Sequence, residues 1–239
     1  MKRYTSTFER CEKKYILSAV QHAQILSALT DYTTSDEYGK TDIYTIYYDT
    51  PDYLLIRRSI EKPVFKEKLR LRTYGMPTDA DTAFIEIKRK YNKIVYKRRI
   101  AMPYRKALTF LQMPAKGGQI AKEIEYMLHL YPHLQPAMAM TFNRISFAGR
   151  EDPALRITFD SNICWRTCPI DLSIPAAGVP LLDEGQRLME IKLFGAIPLW
   201  LSHLLNQNAC YPVSFSKYGR AYEAMLKQNA NSTLERNYI

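Results

Sequence analysis

Arginine and lysine recur at every second position in one stretch of this chain. Between Phe65 and Ile100 the sequence reads F-K-E-K-L-R-L-R-T-Y, then F-I-E-I-K-R-K-Y, then V-Y-K-R-R-I. Strand side chains alternate between two faces, so Lys68, Arg70 and Arg72 share one face while Leu69 and Leu71 share the other. Glu86 and Lys88 oppose Ile85 and Ile87 in the same way, and Lys97 and Arg99 follow on the third segment. A guanidinium fork matches phosphate oxygens two at a time, and an ammonium adds compact positive charge. This spacing is suited to holding phosphate.

The alternation returns elsewhere. Arg10, Glu12 and Lys14 share a face of a strand expected from Thr7 to Ile16, and Arg144 lies with Phe142 and Ser146 on another over Met140 to Ala148. Arg156, Thr158 and Asp160 oppose Leu155, Ile157 and Phe159, and Glu190 and Lys192 oppose Met189, Ile191 and Leu193. The acids Glu12, Glu86 and Glu190 have two readings. They can pair with neighbouring cations, or act as hard oxygen ligands for Mg²⁺ or Mn²⁺ beside a phosphate. Ser214 to Lys217, S-F-S-K, opens a helix. It offers backbone N–H groups, Ser216 and Lys217 to a phosphate, or in the plainer reading a simple N-cap at Ser214 or Ser216.

These side chains need elements to position them. Ser18 caps a helix with Val20, Ile25, Leu26 and Leu29 as its apolar positions. Tyr44 to Asp49 reads as a strand, T-P-D turns the chain, and Leu54 to Ile60 is expected to pair back as a strand. Pro103 suits the N1 position of a helix that continues from Lys106 to Met113. A second helix follows Gly117–Gly118 and runs to Tyr131 on Ile120, Ile124, Met127 and Leu128. Residues 161–187 read as irregular, helices follow at Ile197 to Leu205 and Phe215 to Lys227, and the last dozen residues read as a loose tail. The expectation is a single domain over residues 1–228 with a flexible tail at 229–239.

Helices bury their apolar stripes against the apolar face of a sheet, which collects the charged faces on its other side. Antiparallel sheets with many strands curl or close to remove their edges. The fold expected is therefore α+β, an eight-stranded antiparallel β-barrel with a charged interior and helices packed on the outside. Unpaired buried charge costs several kcal/mol per ion, so such an interior must be wet and built to hold something. A barrel of about eight strands has room for a narrow chain or one small ligand, not a duplex.

The composition agrees with an anionic partner, with 34 Lys and Arg against 24 Asp and Glu and a formal charge of +10. That excess suits nucleic acid, anionic lipid or polyphosphate. The cysteines Cys11, Cys164, Cys168 and Cys210 form no disulfide framework and no C-x-x-C pair. There is no G-x-x-x-x-G-K-[ST] and no G-x-G-x-x-G, which excludes a P-loop protein. His129 and His133 straddle Pro132, which argues against a zinc-binding helix face. No basic N-terminal run leads into an apolar segment, and no window is long and apolar enough to span a bilayer. The expected location is cytoplasmic.

Taken in order, R-C-E-K-K-Y (10–15), Y-Y-D-T (47–50), K-L-R-L-R (68–72), E-I-K-R-K (86–90), Y-K-R-R (96–99), N-R-I-S-F (143–147), R-I-T-F-D (156–160), M-E-I-K (189–192) and S-K-Y-G-R (216–220) resemble the VTC domain. That is the polyphosphate polymerase branch of the triphosphate tunnel metalloenzymes, the CYTH-like superfamily. The resemblance runs from about Thr7 to Leu226 and rests on the order and spacing of the motifs together. It implies an eight-stranded antiparallel tunnel in which basic side chains hold a triphosphate or a growing polyphosphate. By motif, Lys14, Arg70, Arg72, Lys88, Arg144 and Arg156 would bind phosphates. Glu190 would hold Mn²⁺ or Mg²⁺, and Ser216 with Lys217 would contact substrate near one end.

Arg10 stands where the wider superfamily has the first Glu of E-x-E-x-K, which favours the VTC branch. Phe142 stands where the polymerase motif has Tyr before N-R. Arg10, Lys68, Lys97, Arg99 and Lys192 complete the basic lining, and Glu12 and Glu86 the acidic one. The activity implied is transfer of the ATP γ-phosphoryl group to polyphosphate. The alternatives are a tunnel triphosphatase that hydrolyses triphosphate or polyphosphate, and a polyphosphate-binding module without turnover. Duplex nucleic acid is not an expected partner.

Overall fold

The computed structural model describes residues 10–92, 94–115 and 117–236. Residues 7–9 of the expected first strand and 237–239 of the expected tail lie outside them, as does the side chain of Arg10. The strands are β1 (Arg10–Leu17), β2 (Thr33–Asp49), β3 (Phe65–Tyr74), β4 (Thr82–Tyr91), β5 (Ile94–Pro103), β6 (Gln135–Gly149), β7 (Arg156–Arg166), β8 (Val179–Pro180) and β9 (Arg187–Phe194). The helices are α1 (Ala19–Tyr32), α2 (Leu54–Ile60), α3 (Tyr104–Gln112), α4 (Gln119–Leu130), α5 (Leu199–Gln207) and α6 (Lys217–Arg236). Hydrogen-bonded strands follow the order β1-β9-β7-β6-β2-β3-β4-β5, with β8 on β7, and the registers resolved are antiparallel. This is the α+β antiparallel architecture that the alternating charge pattern implies, with the two-residue strand β8 added to the eight expected.

The chain divides into two compact units. The first holds Met1–Thr41, Phe142–Ile163 and Leu182–Ser214, and the second Asp42–Thr141, Cys164–Leu181 and Phe215–Ile239. In the second unit Leu69, Leu71, Ile85 and Ile87 of β3 and β4 are almost wholly buried against Ala107, Phe110 and Leu111 of α3 and Ala121, Ile124 and Met127 of α4. In the first unit Ile157 and Phe159 of β7 and Met189 and Ile191 of β9 pack with Ile25 and Leu29 of α1 and Leu201 and Leu205 of α5. Each such side chain contributes about 1.5–3 kcal/mol by leaving water. In both units helices cover the apolar strand face, which leaves the other face to the charges.

Several boundaries differ from the sequence reading. Ser18 caps α1 as expected, accepting from the Gln21 backbone in a reciprocal capping box, but Val20 is 66% exposed and not part of the buried stripe. The segment Leu54–Ile60 is the helix α2, not a returning strand. Asp49 and Thr50 cause the difference. Thr50 Oγ1 accepts from the Leu54 N–H, while Asp49 Oδ1 and Oδ2 accept from those of Leu55 and Ile56. Three of the four N–H groups a helix start leaves unpaired are thus satisfied before the chain can extend. Pro103 is the residue before α3, not its first. α6 continues through residues 228–236, which the sequence reading gave to the tail.

Candidate functional site

Charge in the second unit is organised by strand register. Tyr47 pairs with Arg70, Arg70 with Glu86, and Glu86 with Arg99. The next row pairs Lys68 with Lys88 and Lys88 with Lys97. Register partners project from the same face of the sheet, so these side chains form one basic surface with Glu86 inside it. Glu86 is 1% exposed. Its Oε2 accepts from Arg70 Nε at 2.6 Å and lies 4.0 Å from Arg72 Nε, while Lys97 Nζ pairs with its Oε1. Burial alone would raise this carboxyl, but Arg70, Arg72 and Lys97 together hold it down at about 2. Lys97 is pushed the other way: burial and the nearby Arg70 and Arg72 outweigh Glu86 and lower it to about 8. The Arg99 guanidinium lies 4.8 Å above the ring of Phe84, which stacks cation on aromatic face.

The start of α6 joins this surface. Ser216 Oγ accepts from Lys68 Nζ at 3.0 Å and from the Gly219 N–H at 3.1 Å. A hydroxyl has two lone pairs and one hydrogen, so with both lone pairs engaged Ser216 has its O–H to donate. A Cβ at Gly219 would lie 3.3 Å from Ser216 Cβ and Oγ, close enough that the cap would have to give by a few tenths of an ångström. Lys217 begins the helix, where its N–H groups and dipole favour an anion.

In the first unit cations and acids alternate. Lys14 pairs in register with Glu190, Glu12 and Arg156 both with Lys192, and Thr158 with Glu190. Lys14 Nζ lies 3.3 Å from Glu12 Oε1 and 3.6 Å from Glu190 Oε1, and Lys192 Nζ lies 3.2 Å from Glu190 Oε2. Arg144 grips the buried Asp160 with two bonds of 2.6 and 2.7 Å and reaches Glu190 at 3.7 Å. Arg156 Nη2 donates to Ser146 Oγ at 3.4 Å. Burial lowers Lys192, with Glu190 opposing. Phe142 has no hydroxyl to offer, but its ring lies 5.4 Å from the Arg144 guanidinium and packs against it.

The structure therefore divides the residues singled out from sequence. Lys68, Arg70, Arg72, Glu86, Lys88, Lys97, Arg99, Ser216 and Lys217 fall in the second unit, and Arg10, Glu12, Lys14, Arg144, Arg156, Glu190 and Lys192 in the first. Glu86 and Glu190, grouped with Glu12 on sequence, each lie beside three cations: Arg70, Arg72 and Lys97 for Glu86, and Lys14, Arg144 and Lys192 for Glu190. Among the described residues no group of three or more His, Cys, Asp or Glu could hold a metal ion. The first unit does fit an ion whose other ligands are phosphate oxygens and water, the usual way Mg²⁺ is held. Glu12 and Glu190 converge on Lys14. The buried hydroxyl of Thr158, register partner of Glu190, has no hydrogen-bond partner among the described residues, and adds a hard oxygen.

Sequence reasoning missed Tyr47, Asp49 and Tyr218. The Tyr218 hydroxyl donates to Asp49 Oδ2 at 2.9 Å, and its ring stacks on that of Tyr47 at 4.4 Å and 8°. Burial raises the Asp49 carboxyl against the four donors that surround it. The signal was present in Y-Y-D-T and S-K-Y-G-R, of whose members only Ser216 and Lys217 received a role.

The chain resembles known proteins in sequence and in fold. The family model for the VTC domain matches residues 9–226. Vacuolar transporter chaperone complex subunit 4 of Trypanosoma brucei brucei is 25% identical over 251 residues, covering 85% of this chain and 31% of its own length. The subunit of the same name from Schizosaccharomyces pombe is 24% identical over 238 residues, covering 78% of this chain and 32% of its own. The chain thus spans about a third of the length of these relatives. A candidate adenylate cyclase from Bacillus halodurans superposes with a TM-score of 0.53 at 13% identity, over 86% of this chain and 92% of its own. A candidate adenylyl cyclase from Hippeastrum, described as having a dominant triphosphatase activity, gives 0.50 at 14% identity over 88% and 94%. Motifs, strand register and the match over residues 9–226 lead to one assignment: the chain belongs to the VTC domain family and has the triphosphate tunnel, or CYTH-like, fold.

Proposed function

We propose that the chain is a metal-dependent inorganic polyphosphate polymerase that moves the γ-phosphoryl group of ATP onto the end of a polyphosphate chain. The observation that carries this reading is the basic surface of the second unit. Lys68, Lys88 and Lys97 stand directly opposite one another on three neighbouring strands. Like charges so placed destabilise a sheet, and an anion with several charged oxygens relieves the repulsion. Beside that row Arg70 and Arg72 both reach the carboxylate of Glu86, so basic side chains are concentrated on this surface. Membership of the VTC family supports the same reading.

In this account Arg70, Arg72, Lys88, Lys68, Lys97 and Arg99 hold phosphate oxygens from the second unit, with Ser216 and Lys217 donating from the start of α6. Lys14, Arg144, Arg156 and Lys192 do so from the first unit, and Arg10 extends β1 by sequence. Glu190 and Glu12 would hold Mn²⁺ or Mg²⁺, which supplies neutralisation of phosphate charge when bound. A terminal oxygen of the acceptor chain forms the new P–O bond, the bond from the γ-phosphorus to the bridging oxygen breaks, and ADP leaves. The residues contribute position and positive charge, with no side-chain nucleophile. With ATP as donor the reading places the activity in the cytoplasm.

In a second reading water replaces the acceptor and the chain is a triphosphatase, the activity described for the Hippeastrum neighbour. Arg10 in place of a first-strand Glu favours the polymerase. Incubation of the purified chain with ATP and Mn²⁺, with polymer length read on a gel beside phosphate release, tests the proposal. A ladder of polyphosphate is expected. Phosphate without polymer replaces the proposal with the triphosphatase, and neither product, with tight polyphosphate binding, replaces it with a binding module.

A further inference from the structure

We propose that Tyr47 is a positioning residue for Arg70, its ring seated on Tyr218 and its hydroxyl holding the guanidinium from the side opposite Glu86. Arg70 is the register partner of both Tyr47 and Glu86. Its Nε donates to Glu86 Oε2 at 2.6 Å, and Tyr47 faces it from the neighbouring strand, where the phenol and the guanidinium interact electrostatically. A long side chain gripped at two points loses the rotamer freedom that binding an anion would otherwise cost. Tyr47 can do this because it is itself fixed. It is 7% exposed and stacks nearly parallel on Tyr218 at 4.4 Å.

Tyr218 in turn is 2% exposed and tied by its hydroxyl to Asp49 Oδ2. Asp49 is wholly buried and is held by the N–H groups of Thr50, Leu55 and Ile56. One chain of contacts therefore runs from the start of α2, through the first turn of α6, to Arg70. It sets Arg70 in a fixed relation to Ser216 and Lys217, the two residues just before Tyr218. This inference rests on the reading of the basic surface as a phosphate site and assigns that site's preorganisation to an uncharged residue.

Tyr47→Phe tests it, because the stack survives and only the hydroxyl is lost. Calorimetric titration with tripolyphosphate in the absence of metal should show affinity about tenfold weaker, the scale of one hydrogen bond to a charged group. The melting temperature should stay within about 2 °C, no more than the loss of about 1 kcal/mol produces in a chain this size. In an Arg70→Ala background the same substitution should have no further effect, since residues that act through one another are not additive. Undiminished affinity, or the same tenfold loss in both backgrounds, overturns the claim. If the wild-type chain binds no tripolyphosphate, the functional reading fails by itself. The order parameter of the Arg70 Nε–H group, measured by nitrogen relaxation, then decides the positioning claim. It should fall in Tyr47→Phe, and an unchanged value overturns it.

Discussion

In the second unit one buried carboxylate, Glu86, answers for Arg70, Arg72 and Lys97. In the first unit Lys14, Lys192 and Arg144 are shared among Glu12, Glu190 and Asp160. Both surfaces arise from the same device, an antiparallel sheet whose apolar face is covered by helices. They differ in stoichiometry, and that suits them to different partners. The surface richer in cations gains the more from a polyanion. The surface with nearly matched charge gains less from an anion and offers carboxylate oxygens to a cation. The two units thus divide the proposed work, with phosphate held mainly by the second and the metal by the first.

Substitutions can break this contrast. The largest effect on stability is expected at Glu86. Glu86→Ala leaves three cations around a buried site without their counter-charge and should cost about 3–5 kcal/mol in urea unfolding. Asp160→Asn should cost less than Glu86→Ala, because Arg144 keeps Glu190 at 3.7 Å. Equal costs would mean that the two surfaces are not differently balanced. Next in size is binding. Arg70→Ala should weaken tripolyphosphate by about ten- to a hundredfold, the worth of charge-assisted hydrogen bonds. Lys192→Ala, which removes a cation already beside Glu190, should change affinity by only a few-fold on the scale of a screened charge pair. A larger loss at Lys192 would reverse the assignment of phosphate binding.

The smallest effect is on pH dependence. Lys97 sits at about 8, below the usual lysine value, because burial and the arginines disfavour its charge. Its charge is lost as pH rises through about 8, so tripolyphosphate affinity should decline between pH 7 and 9, and Lys97→Gln should remove that decline. Stability runs the other way. The unfolded chain binds more protons between about pH 8 and 10.5, so this group's contribution to stability rises with pH over that window. An affinity flat from pH 7 to 9 in the wild-type chain would show that Lys97 does not take part.

Much of this was legible in the sequence where a single strand carries both signals. Lys68, Arg70 and Arg72 alternate with Leu69 and Leu71, so period alone gives the faces of β3, and the same holds for β4 and β9. The first part of β2 was not legible. T-T-S-D-E-Y-G-K-T has no apolar alternation, and its strand state follows from pairing with neighbours. α2 was misread because L-L-I-R-R-S-I is an apolar run compatible with either state, and the deciding bonds come from Asp49 and Thr50 just before it. The division into two units leaves no mark in composition, since β2, β6 and β7 each run through both. The faces of Glu86, Glu12 and Glu190 could be read, but not how the cations beside each are shared. Glu86 and Glu190 each lie near three, and two of those near Glu190, Lys14 and Arg144, are also held by Glu12 and Asp160.

The most direct test of the division of work is Glu190→Gln, measured twice. Tripolyphosphate affinity without metal should stay within a few-fold of wild type, because the basic surface of the second unit is intact. Mn²⁺-dependent ATP turnover should fall by at least about a hundredfold, more than the loss of a supporting residue around a metal causes. Affinity and turnover falling together would mean that Glu190 serves the anion site, and turnover left unchanged would remove it from the chemistry. Either result would contradict the account.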